Sequence, residues 1–191
     1  MKIGILGGTF NPIHLGHLIL AEEAREKLGL ERVIFVPAFL PPHKDNPDIA
    51  SADVRLKMVK LAISGNKYFS CSDTEIKRDG RSYTIDTLKE FKKIYAEDEL
   101  YFIIGSDLLT YLDEWRELSE IIKMVKFIVA TRPGYPLDKI PSYIQTMPIR
   151  AVDISGYEIR NCIKEGRSFR YLAPEAVHKY ILKEKLYKSL V

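Results

Sequence analysis

A chain of 191 residues with 46% apolar and 29% charged residues is long enough to bury a sizeable core and reads as one ordinary globular domain. A net charge of +3, with no dense basic run, excludes an argument for nucleic acid, whose binders gather basic residues on one face or arm. Cys71 and Cys162 are the only cysteines and form no ligand spacing, which speaks against a disulfide framework or structural zinc; no segment approaches the ~20 apolar residues of a membrane span.

The first apolar run, Ile3 to Leu6, ends in Gly7-Gly8 and reads as a strand buried on both faces. It is too short for a signal peptide, so the expected compartment is the cytoplasm. Apolar residues at helical spacing predict a helix from His17 to Leu28, stopped by Gly29. "RVIFVPA" reads as a second strand and the proline-rich "LPPHKDNPDIA" as a loop. Ser51 caps a helix running to about Ser64, with Met58, Leu61 and Ala62 inward. "YFSCSDTEI" is a third strand region and "KRDGRS" a turn; Ser82 or Thr84 then starts a helix through "IDTLKEFKKIY".

"LYFIIG", "KFIVATR" and the short "PIRAVDIS" read as further strands. Ser155 with Glu158 forms a capping box for a helix ending near Gly166. "APEAVHKYILKEKLY" is a last helix with proline in its first turn, and its basic residues form a solvated face. The alternation predicts an α/β fold: a single domain, residues 1–191, with a Rossmann-like, doubly wound parallel sheet flanked by helices and with helices at its C-terminal end. In such a sheet ligands bind beyond the carboxyl ends of the strands. Four loops are then expected to meet: Gly7 to His17, Pro37 to Pro47, Gly105 to Trp115 and Thr131 to Pro136.

The first of these loops carries the clearest chemistry. Glycines between a strand and a helix let backbone approach an anion, and the helix N-terminus supplies free N–H groups. Yet "GILGGTF" is neither G-x-G-x-x-G nor a P-loop. Two of the chain's four histidines, His14 and His17, take the place such motifs give to lysine. Three residues apart, they are expected to share a helix face and point at one phosphate, with Gly16 leaving room for a ligand between the rings. As a metal site the pair offers too few ligands.

"GGTFNPIHLGH" resembles the H-x-G-H motif of the nucleotidyltransferase superfamily, and the longer stretch resembles bacterial nicotinate mononucleotide adenylyltransferases. "PPHK", "SYTIDTL", "FIIGSDLL", Trp115, "TRPGY" and "ISGYEIR" follow in that family's order, so the resemblance spans nearly the whole chain. One stretch departs from it: where the family usually shows Ser or Ala and then Thr after the Ile-Ser pair, this chain has Gly156 and Tyr157.

The resemblance implies transfer of AMP from ATP to nicotinate mononucleotide, giving nicotinate adenine dinucleotide and pyrophosphate, by direct attack with no covalent intermediate. It implies His14, His17 and Arg160 as catalytic residues. Gly7, Gly8, Thr9, Phe10, Gly105, Asp107 and Ser155 are expected on ATP, with Asp107 on a ribose hydroxyl. Lys44, Tyr83, Thr84 and Trp115 are expected on the pyridine nucleotide, Trp115 by stacking on the ring and Tyr83-Thr84 by offering helix N-terminal N–H groups to its carboxylate. Magnesium is expected with ATP, without a protein ligand cage. His178 is expected to be structural or exposed. The rival readings are a transferase for another phosphate, such as phosphopantetheine, and a non-catalytic nucleotide-binding regulator. Oligomeric state is open.

Overall fold

The computed structural model describes residues 1–40, 49–131, 140–150 and 152–188, apart from the side chain of Asp107. Among these, six strands build one sheet: β1 (Lys2–Gly8), β2 (Arg32–Pro37), β3 (Phe69–Cys71), β4 (Glu99–Gly105), β5 (Lys126–Thr131) and β6 (Ile144–Pro148). The order is β3-β2-β1-β4-β5-β6 and every pairing is parallel. The helices are α1 (Leu15–Leu28), α2 (Ala52–Ile63), α3 (Thr74–Arg78), α4 (Thr84–Ile94), α5 (Leu118–Met124), α6 (Gly156–Lys164) and α7 (Glu175–Lys183); a 3-10 helix covers Ser106–Glu114.

Strand geometry explains the unbroken apolar runs. Ile5 and Leu6 are neighbours in β1, so they point to opposite faces. Leu6 packs with Phe35, Met58, Ile103 and Ile159 in one core. Ile5 packs with Ile85, Leu88, Phe102 and Phe127 in the other. A strand buried on both sides has no polar face to show. The strand order turns back at β1, with β2 and β3 on one side and β4 to β6 on the other. The crevice beyond the carboxyl ends of β1 and β4 is therefore the expected ligand position.

Several elements differ from the sequence expectation. α1 begins at Leu15, two residues before His17, because His14 serves as its N-cap; Gly29 ends it in the left-handed conformation at φ 63°. The strand region after Tyr68 stops at Cys71, and the Ser72 hydroxyl accepts the Thr74 N–H at 3.3 Å as α3 begins. β6 meets "PIRAVDIS" only at Pro148 and otherwise precedes it: it is an edge strand in which only Ile144 and Met147 are buried, so it shows no apolar run. The inward face of α2 is Arg55, Met58, Val59 and Ile63, whereas Leu61 and Ala62 are half-buried. Ser155 caps α6 by accepting the Glu158 N–H at 3.1 Å. Pro174 is the N-cap of α7, which stops at Lys183, and Leu186 and Tyr187 turn back onto the core instead of extending a solvated helix. The 3-10 helix and α5 have no counterpart in the sequence expectation.

Candidate active site

From β1 the chain enters a tight turn, Gly8 to Ile13, before α1. Phe10 sits there at φ 49°, a conformation that side-chain-bearing residues seldom adopt. Its ring folds beneath Gly8, where a Cβ would lie 3.0 Å from it, and meets Phe35 at 5.9 Å between centroids. Phe10 thus anchors the turn in the core, while Gly7, Gly8 and Thr9 stay half-buried at its mouth. The Asn11–Pro12 peptide is cis.

The histidines do not flank an open gap. His14 precedes the helix with extended backbone (φ −142°, ψ 172°), so its ring folds back over the first turn. It stacks on His17 with centroids 3.7 Å apart. The space at Gly16 belongs to the His14 ring, since a Cβ there would lie 3.1 Å from His14 Nδ1. This corrects the expectation that Gly16 leaves room for a ligand between the rings. The His14 N–H donates to His17 Nδ1 at 3.2 Å. A backbone N–H can only donate, so Nδ1 is the acceptor and the proton of the neutral ring sits on Nε2. His17 is thereby fixed as a donor through its far nitrogen. Phe10 meets the His17 ring edge-on at 5.0 Å.

α6 brings a second helix N-terminus to the same turn. Gly16 lies close to the Ile154 carbonyl, and a Cβ on Gly156 would be 2.8 Å from the Asn11 carbonyl oxygen. Gly156 therefore lets α6 press directly on the turn. Arg160, 9% exposed, donates from Nη1 to that same carbonyl at 2.7 Å. It is drawn inward against the turn, and Tyr157, 67% exposed, lies 5.9 Å from its guanidinium carbon. With the Ser155 hydroxyl oxygen accepting at the helix cap, its proton is left to donate outward. Two helix N-termini, two imidazoles and a buried guanidinium thus converge on one turn, an arrangement that favours an anion.

Arg55, which the sequence expectation does not single out, braces the turn from behind. It is 1% exposed and donates from Nε to Ala50 O at 2.9 Å, from Nη1 to Thr9 O at 2.7 Å and from Nη2 to Phe39 O at 2.9 Å. Burial lowers its pKa, while Tyr187 and Glu75 pull it back up. A charge at helical spacing with Met58 and Val59 on an otherwise apolar stripe is the signal that could have found it.

Across β1, the second half of the crevice is aromatic. Trp115 stands at the end of the 3-10 helix, half-buried, 5.9 Å from both Phe102 and Phe127. A Cβ on Gly7 would touch Phe102 at 3.7 Å, so this group adjoins the turn. Gly105 ends β4 and begins the 3-10 helix that holds Asp107, whose side chain lies outside the described residues. Tyr83 is the N-cap of α4 and Thr84 its first residue; the Arg116 guanidinium lies 5.1 Å from the Tyr83 ring centre. Ser82 fixes this helix start: its hydroxyl accepts the Phe39 N–H at 2.8 Å and its own N–H reaches Leu40 O at 3.0 Å.

Behind Ser82 lies Glu75, buried, accepting from the Thr87 hydroxyl at 2.6 Å. Burial raises the Glu75 pKa, and hydrogen bonds from Thr87 and Ser82 oppose the rise. The folded chain then holds this proton more tightly than the unfolded chain. Stability is expected to fall as pH rises from the ordinary glutamate range through the raised pKa, and Glu75→Gln should flatten that slope in thermal melts across pH. Lys44, His43 and the "RPGY" part of the Thr131 to Pro136 loop lie outside the described residues. His178 is half-buried in α7 against Phe169, at 4.6 Å, as expected of a structural histidine.

Comparison with known proteins bears on the family and the fold. A family model described as cytidylyltransferase-like matches residues 5–162. A protein of Desulfitobacterium hafniense strain Y51, named a probable nicotinate-nucleotide adenylyltransferase, is 44% identical over 98% of this chain and 96% of its own length. A relative of the same name from Thermus thermophilus is 44% identical over 98% of this chain and 100% of its own. The solved structure of Plasmodium falciparum nicotinic acid mononucleotide adenylyltransferase complexed with NaAD shares the fold, with a TM-score of 0.80 at 20% identity over 97% of each chain. The chain belongs to the cytidylyltransferase-like family and, within it, to the nicotinate-nucleotide adenylyltransferases.

Proposed function

We propose that this chain joins the AMP part of ATP to nicotinate mononucleotide, releasing pyrophosphate and making nicotinate adenine dinucleotide for NAD biosynthesis. The observation that carries the reading is the turn after β1, where two helix N-termini, His14, His17 and Arg160 meet. The nucleophile is a phosphate monoester that is already mostly dianionic near neutral pH, with a second pKa of about 6. No general base is needed. A phosphate oxygen of the mononucleotide attacks the α-phosphorus of ATP, and the bond from that phosphorus to the β-phosphate oxygen breaks. The task of the protein is to align two anions and relieve charge on the leaving group.

In this reading Gly7, Gly8, Thr9 and Phe10 offer backbone, or the Thr9 hydroxyl, to the phosphates. His17 Nε2 donates to the α-phosphate as charge grows there, and His14 supports it. Ser155 and the remaining donors of Arg160 face the β- and γ-phosphates. Gly105 and Asp107 take the ribose of ATP. Trp115 stacks on the pyridine ring, Tyr83 and Thr84 meet its carboxylate at the start of α4, and Lys44 reaches a phosphate. The site near the turn is built of donors, which suit phosphate oxygens. Magnesium would arrive bound to the triphosphate, where it neutralises charge. No helix among the described residues is long and apolar enough to cross a membrane.

The test is pyrophosphate release with ATP and magnesium, offering nicotinate mononucleotide, nicotinamide mononucleotide and phosphopantetheine separately. Fast release with the first, slow with the second and none with the third is expected. Equal release with the first two would remove the carboxylate role of the α4 start. Release with phosphopantetheine alone would overturn the substrate.

A further inference from the structure

The end of the described chain returns to the phosphate turn. After α7, Lys185 (φ 53°) and Tyr187 (φ 63°) both take the left-handed conformation, and the Leu186 N–H closes onto Ile181 O at 3.1 Å. Two such residues within three positions reverse the chain, and L-residues rarely adopt this conformation without a compensating contact. The reversal packs Leu186 and Tyr187 against the core beneath the turn. The Tyr187 hydroxyl then lies 2.8 Å from Asn11 Oδ1, across 176 residues of sequence. The same oxygen accepts the Ala50 N–H at 3.1 Å. Since a backbone N–H must donate, that atom is the amide oxygen, and the Tyr187 hydroxyl is the donor.

Asn11 is held from its other side as well. Its carbonyl takes the Arg160 hydrogen bond and abuts Gly156. Its main chain continues directly from Gly8, Thr9 and Phe10. We propose that Tyr187 is a positioning residue for ATP: its hydroxyl, acting through Asn11, fixes the turn on which the triphosphate is bound. This rests on the adenylyltransferase reading. The ring alone could fill the core as phenylalanine does; only the hydroxyl reaches Asn11. Burial also pushes the phenol's pKa up, against the lowering pull of Arg160 and Arg55, so the group remains a proton donor.

Tyr187→Phe keeps the ring and removes the donor. Its kcat/KM for ATP is expected to fall about fivefold to tenfold, the worth of one such hydrogen bond, mostly through KM for ATP. KM for nicotinate mononucleotide should hold, and the thermal midpoint should fall by no more than about 2–4 °C, as for one hydrogen bond. Asn11→Ala should act in the same direction, and the double variant should be no worse than Asn11→Ala alone, because one path is cut twice. Leu186→Ala, which loosens packing without touching Asn11, should lower the melting midpoint without raising KM for ATP. Wild-type kinetics in Tyr187→Phe, full additivity in the double variant, or equal losses for both substrates with a lowered midpoint would each overturn the proposal. Calorimetric titration with a non-hydrolysable ATP analogue separates the two levels. Equal Kd for wild type and Tyr187→Phe sinks the positioning role, whereas absent turnover in the wild type sinks the adenylyltransferase reading and leaves the Kd ratio to decide on Tyr187.

Discussion

Replacing His17 by asparagine is expected to lower kcat by roughly 10²- to 10³-fold while leaving the fold intact, the loss typical of removing one donor to a developing oxyanion. The choice of asparagine separates two functions of one ring. His17 Nδ1 accepts the His14 N–H and so closes the start of α1. An asparagine oxygen can take over that acceptance near the same place. It cannot reproduce Nε2, the atom that faces away from the cap and that carries the proton in the neutral ring. His17→Ala removes both. It should show the same loss of kcat together with a loss of helix-cap stability of about 1 kcal/mol. Steady-state pyrophosphate release and thermal melts on the two variants give the comparison. An asparagine variant at wild-type rate would mean that the far nitrogen of His17 takes no part in the transition state.

Arg55→Met is expected to be the most damaging single change to stability near the site. The methionine fills much of the volume but leaves the carbonyls of Thr9, Phe39 and Ala50 without the donor each now has. A fully buried acceptor stranded this way costs about 1–3 kcal/mol; these three are part-buried, which keeps each near the low end, so a total of roughly 3–5 kcal/mol is expected. For a chain of this size that lowers the melting midpoint by about 10 °C. Arg55→Lys, with one compact ammonium in place of a planar fork, should recover only part of the loss. Because Thr9 belongs to the turn proposed to hold the phosphates and Phe39 to the segment that Ser82 holds, both KM values should rise in any variant that stays folded. Chemical denaturation with parallel kinetics checks both statements. A midpoint within about two degrees of wild type, with unchanged KM values, would show that water satisfies those carbonyls as well as the guanidinium does.

What the sequence revealed of the fold followed from how local each signal was. β1, β2, β4 and β5 were legible because strands buried on both faces must be apolar without interruption, and Ile3, Phe35, Ile103 and Ile128 all are buried. β6 was not legible because this edge strand buries only Ile144 and Met147, in different cores, and Gln145 and Thr146 between them look like loop. The histidine motif was legible because it is contiguous, yet its geometry was not. Nothing in "HLGH" says that His14 stands outside the helix and that its ring, rather than a ligand, takes the space beside Gly16. Least visible were the residues that hold the turn from a distance. Arg55 reads as one more surface charge until Thr9, Phe39 and Ala50 are brought around it. Gly156 reads as a departure from the family pattern until the Asn11 carbonyl is seen 2.8 Å from where its Cβ would stand.

The ties on Asn11 also set when the molecule becomes competent during its own synthesis. The turn that holds Asn11 leaves the ribosome before its partners Arg160 and Tyr187, which follow it by 149 and 176 positions. At about 5–20 residues per second, the turn waits roughly 10–35 s for the tyrosine that donates to Asn11. Half the sheet, β1 to β3, has emerged long before. A nascent or prematurely ended chain can therefore resemble the enzyme in its strands and still lack both ties on Asn11. With Tyr187 in the proposed role, ATP, which stabilises only forms that bind it, is expected to protect completed chains from proteolysis better than truncated ones.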